Sequence, residues 1–139
     1  MIATGGVLLF IGGLLILRRM PKKLKPEYFT ANWRELQSLC GDRATWPLAL
    51  LDADKLLDTA LKRRRFKGKS MGERMVSAQR VLTENDSAWY AHNLVKKIVA
   101  RPNAKLLKRD VKLALMGFRR ALRDLGALPN EHEVKNEKF

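Results

Sequence analysis

The sequence predicts an all-α chain: an N-terminal single transmembrane helix followed by a compact bundle of about five helices. Three observations carry this expectation. Residues 1 to 17 contain no ionisable side chain. The rest of the chain repeats apolar residues at steps of three and four, the spacing that lines one face of an α-helix. No stretch alternates apolar and polar residues between hairpin turns, as a half-buried strand would.

The first segment, MIATGGVLLFIGGLLIL, spans roughly 25 Å as a helix, slightly short of a ~30 Å hydrocarbon core. Arg18 and Arg19 follow it and would extend toward headgroups to close the gap. A cleaved signal peptide carries its positive charge before the apolar run, whereas here the charge follows, so an uncleaved anchor over residues 1–19 is the expectation. Arg18, Arg19, Lys22, Lys23 and Lys25 would then lie at the membrane interface. By the same asymmetry the N-terminus lies outside and the remainder is cytoplasmic at the cell membrane. Gly5, Gly6, Gly12 and Gly13 leave small spots on that helix where another helix could approach, a weak dimerisation signal.

Residues 20–26 form a basic connector interrupted by Pro21 and Pro26. The bundle is expected over 27–128. Its first helix, Glu27 to Cys40, aligns Phe29, Trp33, Leu36 and Cys40, and Gly41 stops it. Pro47 suits the first turn of a helix reaching Arg65, with Leu50, Ala53, Leu57 and Leu61 inward. Ser70 and Glu73 have capping-box spacing for a helix to about Leu82 with Met71, Met75 and Ala78 inward. Asn85, Asp86 or Ser87 would cap a fourth helix carrying Trp89, His92, Val95 and Val99, ended by Pro102. The last runs from about Lys108 to Leu125 along Val111, Leu115, Phe118, Leu122 and Leu125, with Gly126 and Pro129 as the stop. Residues 129–139 read as a mobile tail.

Lys and Arg number 28 against 14 Asp and Glu, a formal charge of +14 that favours anionic partners. Cys40 is the only cysteine, which excludes an internal disulfide and a four-cysteine metal site, and its apolar face suggests burial. His132 falls in the tail, and His92 reads as a structural or interfacial histidine. Asp54 and Asp58 share a helix face, where surface or interhelix ion pairs, with Lys62 four residues from Asp58, are favoured over a metal or acid/base site. No phosphate loop, zinc spacing or serine-hydrolase elbow is present, so no catalytic residue, metal ligand or cofactor is expected. The densest charge is Lys62, Arg63, Arg64, Arg65, Lys67 and Lys69, six cations within eight residues. Part of that run suits a helix C-terminus, and the excess marks an anion-binding patch with mostly exposed side chains.

Trp46, ALLDADKLLDTAL at 49–61, SMGERM at 70–75, WYAHNLVKKIVARP at 89–102 and RRALRDLGAL at 119–128 together resemble small uncharacterised membrane-anchored helical proteins of minimal-genome bacteria. The cytoplasmic region is also similar to HEPN-type bundles, whose ribonucleases place Arg and His in an RNxIAH-like segment after an Ala-His pair. Here the matching positions are Val95 and Ala100. Neither transfers protons, so the resemblance implies a fold and carries over no catalytic residue. The expected function is a membrane-tethered helical interaction module without catalysis, meeting the bilayer, anionic headgroups or a protein, with oligomerisation open. The alternative is a nucleic-acid-binding HEPN-like domain without ribonuclease activity.

Overall fold

The structure is a computed structural model and describes residues 23–130. Five helices follow one another: α1 (Pro26–Ser38), α2 (Trp46–Arg63), α3 (Met71–Ser77), α4 (Asn85–Ala100) and α5 (Lys108–Asp124). Two 3-10 turns, Leu39–Gly41 and Arg43–Thr45, join α1 to α2, and there is no strand among the described residues.

The expected fold class is corrected in one respect. Among the described residues no helix is long and apolar enough to cross a membrane, so the fold is an all-α bundle in which an N-terminal transmembrane helix finds no support. The physical reason is visible in α2, the longest helix at 18 residues, where Asp52, Asp54, Lys55, Asp58 and Lys62 interrupt the apolar sequence from its second turn onward. Residues 1–19, on which that expectation rested, lie outside the described residues. So do Arg18, Arg19, Lys22 and tail positions 131–139.

Pro26 and Pro47 occupy first turns, where a missing N–H leaves no helical bond unmade. Between α1 and α2 the Trp46 indole donates to the Cys40 carbonyl at 2.9 Å, and the Asp42 carboxylate accepts from the Ala44 N–H at 3.0 Å. The capping box of α3 is formed in both directions: Ser70 Oγ accepts from the Glu73 N–H, and the Glu73 carboxylate accepts from the Ser70 N–H, each at 3.2 Å. Replacing Ser70 by Ala is therefore expected to cost about 1 kcal/mol, read as a lower urea midpoint with an unchanged slope. A shift within error would show that the Glu73 half of the box suffices.

α3 ends five residues before the expected Leu82. Past Ser77 the chain tightens into three-residue turns, with Gln79 N–H bonded to Val76 O and Val81 N–H to Ala78 O, and Asn85 Nδ2 donates to the Gln79 and Leu82 carbonyls. Asn85 is thus the first residue of α4, and the N-cap position is Glu84. α5 ends with Gly126 at φ +78°, where the Ala127 N–H bonds to Leu122 O and the Gly126 N–H to Arg123 O. That left-handed closure is least costly for glycine.

α2 forms the centre, with Leu50, Leu57 and Leu61 fully buried against Phe29 of α1, Met75 of α3, and Phe118 and Leu122 of α5. Leu24, in the expected connector, also joins this core at 8% exposure. α5 lies antiparallel to α4, since Gly117 meets Ser87 and Asp110 meets Tyr90. Arg64 at the end of α2 donates to Leu125 O at the end of α5. One end of the bundle therefore gathers the start of α1 and the ends of α2 and α5. The other gathers the 3-10 turns and the α4–α5 link.

Candidate anion-binding surface

The end where residue 23 joins the bundle is built by the exit of α2. There the chain reverses through Arg65 at φ +63°, with Phe66 N–H bonded to Leu61 O and Arg65 N–H to Lys62 O. This is the closure glycine usually supplies, made here by an arginine, a conformation that disfavours any side chain bearing a Cβ. The reversal spreads the basic run over the surface instead of along one helical line.

The six cations are not equivalent. Lys62 pairs with Asp58 at 3.3 Å. The Arg63 guanidinium lies 4.3 Å from the Tyr28 ring centroid and 5.5 Å from that of Phe29. Arg64 is half-buried, donates to Leu125 O at 3.2 Å and stacks over Phe66. These three serve the fold as well as the surface, although of the six side chains only Arg64 is half-buried. Arg65, Lys67 and Lys69 are exposed, as are Lys23 and Lys25. A cavity of about 750 Å³ is lined by Lys23, Leu24, Arg64, Arg123 and Asp124. It brings the connector and the 62–69 run, distant in sequence, to one place. The carboxylate in it, Asp124, is occupied by the Thr83 N–H and hydroxyl, both at 2.9 Å.

Asp54 and Asp58, for which surface or interhelix ion pairs are expected, each meet a partner on another helix. Asp58 binds Arg74 of α3 through two bonds, 2.7 and 3.0 Å. Burial pushes its carboxyl up, but the hydrogen bonds and charge of Arg74, aided by Lys62, outweigh this and hold it below the usual carboxylate range. Asp54 meets His92 Nδ1 of α4 at 2.8 Å, with 15% and 12% of the two side chains exposed, and the Trp89 ring stands edge-on to the imidazole. The carboxylate fixes the imidazole's orientation and clips α2 to α4. The sequence offered only a weak signal for this pair, because it joins residues 38 apart. Cys40 is half-buried, and burial raises its thiol pKa, which keeps it protonated and unreactive near neutrality. Among the described residues no group of three or more His, Cys, Asp or Glu side chains could hold a metal ion.

Sequence reasoning did not single out a second cationic region. Lys96, Lys97, Arg101, Lys105, Lys108, Arg109 and Lys112 surround the α4–α5 link at the far end, with Asp110 as the acid among them. The signal was present as charge density, but Pro102 and the change of helix divided it. Comparison with protein-family models, curated proteins and solved structures returns no match. The functional reading therefore rests on this geometry.

Proposed function

We propose that the chain is a helical interaction module that docks on anionic lipid headgroups through the end of the bundle bearing Lys23, Lys25 and the 62–69 run. The observation that supports this is the convergence of Lys23 and Arg64 on one cavity. It merges two basic segments into a single cationic end, where Asp58 and Asp124 are already engaged and Glu27 in the first turn of α1 is an exposed acid. Helix-dipole compensation accounts for Lys62 and Arg63 in the last turn of α2, but Lys67 and Lys69 lie beyond that helix. Each cation held near an anionic leaflet contributes about 1 kcal/mol.

The test is co-sedimentation of the full chain with vesicles of acidic or neutral phospholipid. Lys25→Gln, Lys67→Gln and Lys69→Gln are combined, because these exposed side chains do not serve the fold as Arg63 and Arg64 do. Binding to acidic vesicles is expected to weaken about ten- to hundredfold at low salt and to fall further as salt is added. Equal binding to neutral vesicles, or an unaltered triple variant, would overturn the reading. Preference for RNA over vesicles at equal phosphate concentration, with a salt slope counting phosphate contacts, would replace it with the nucleic-acid-binding, HEPN-like alternative.

A further inference from the structure

At the opposite end of the bundle the link between α4 and α5 wraps a cavity of about 520 Å³. Along α5 this cavity lies roughly 25 Å from the end described above. Two features of it belong together chemically. Ile98, from the last turns of α4, and Leu106, from the link, give it an apolar wall; Lys97, Arg101 and Lys105 stand around it as exposed cations. Among the described residues none of these three has a carboxylate within ion-pair distance. The acid that lines the cavity, Asp110, accepts from the Tyr90 hydroxyl at 3.0 Å and faces Arg109 at 3.9 Å. Burial, and after it the Asp110 carboxylate, push the Tyr90 phenol above its ordinary range, so it remains a donor to that carboxylate.

We propose that this cavity binds a single-chain amphiphile with an anionic head, a long-chain fatty acid in its ionised form, the chain against Ile98 and Leu106 and the carboxylate among Lys97, Arg101 and Lys105. An apolar wall alone would accept any hydrocarbon, and cations alone any anion. Their combination around one small cavity selects a ligand carrying both. The volume is that of small-molecule sites, which run about 300–1,000 Å³, whereas an amphipathic partner helix needs a groove extending over several turns. Three cations against one engaged acid set the sign of the head group. An arginine among them suits the planar carboxylate, which it binds with two parallel bonds. This inference does not rest on the lipid-docking reading, because it uses other residues at the other end.

The experiment titrates the full-length protein with dodecanoate below its micellar concentration, followed by calorimetry and by amide chemical shifts. Saturable one-to-one binding is expected, with shifts confined to residues around 94–110. Dodecanol should bind at least about tenfold more weakly, since it lacks the charge. The combined variant Lys97→Gln, Arg101→Gln, Lys105→Gln should lose about tenfold in dodecanoate affinity while binding dodecanol as the parent does. The Lys25, Lys67, Lys69 variant should retain full dodecanoate affinity, which separates this site from the lipid-docking end. Absence of saturable binding, equal affinity for the alcohol, shifts centred elsewhere or indifference to the triple substitution would each overturn the proposal. So would preferential binding of an acidic Glu- and Leu-rich peptide.

Discussion

Asp58→Ala is expected to destabilise the bundle by about 3–5 kcal/mol, the range for removing one partner of a buried ion pair. Arg74 is buried at 9% exposure, and its guanidinium spends Nε and Nη2 on the two oxygens of Asp58 and Nη1 on Gly68 O at 2.9 Å. This bidentate geometry is the strong form of the contact. With the carboxylate gone, the guanidinium keeps its desolvation penalty and loses its compensation, and Lys62 loses its partner as well. Urea unfolding measures the effect. A loss below about 1 kcal/mol, the worth of an exposed pair, would mean that water reaches Arg74. The double change Asp58→Leu with Arg74→Met should recover much of the loss, because replacing both members of such a pair by apolar groups is often neutral.

The same pair gives stability a pH dependence of definite sign. Asp58 is held below the ordinary carboxylate range in the folded chain, so on acidification the unfolded chain takes up this proton first. The stabilisation is complete above the unfolded-state pKa of about 3.9 and is lost as pH falls through the lower folded value. Unfolding free energy should therefore decline below about pH 4, and Asp58→Asn should show a smaller decline from a lower starting point.

What the sequence disclosed was local, and what it withheld was a matter of partners. The stripes Phe29, Trp33, Leu36 and Leu50, Ala53, Leu57, Leu61 are buried as their spacing requires, as are Val111, Phe118, Leu122 and Leu125. Each follows from helical period and burial within one element. The Ser70–Glu73 box is likewise confined to four residues. Val99 shows the limit: its period points inward, yet it is 64% exposed. The buried face of α4 runs Ala88, Ala91, Val95 and Ile98, so in the last turn Ile98 takes the core position and Val99 beside it faces outward. The small residues Ala88, Ala91, Ala114 and Ala121, which let helices approach, attracted no notice because size alone carries little period signal. That Asp54 and Asp58 enter ion pairs was legible, but their partners on other helices were not. An (i, i+4) rule sees neighbours on the same helix, while Asp54 and Asp58 reach His92 and Arg74 on others. The expectation of a membrane-spanning helix rested on residues 1–19, and the helices described here are all interrupted by charge. At the candidate site, charge density was legible in the 62–69 run. The role of Arg63 and Arg64 in holding α1 and α5 to it was not, because stacking on Tyr28 and bonding to Leu125 O depend on tertiary placement.

Gly117→Val is expected to cost about 3 kcal/mol, the upper part of the range for overpacking. A Cβ at position 117 would stand 2.4 Å from the Ser87 carbonyl oxygen and 2.9 Å from its carbon. These atoms are backbone in the first turn of α4, so no side chain can rotate out of the way. α4 and α5 must separate, which loosens the contact of Ala88 and Ala91 with α5 and opens space that water cannot favourably fill. Valine gains a few tenths of a kcal/mol over glycine in helix propensity, too little to offset this. Gly72 supplies the contrast, since a Cβ there meets the Trp89 ring at 3.5 Å, ordinary van der Waals contact. Gly72→Ala should therefore stabilise α3 by up to about 1 kcal/mol. Urea midpoints moving in opposite directions for the two variants would establish that position 117 is a contact between backbones. If Gly117→Val unfolded at the parent's midpoint, α4 and α5 would not approach closely there, and the antiparallel pairing that sets the α4–α5 link in place would have to be redrawn.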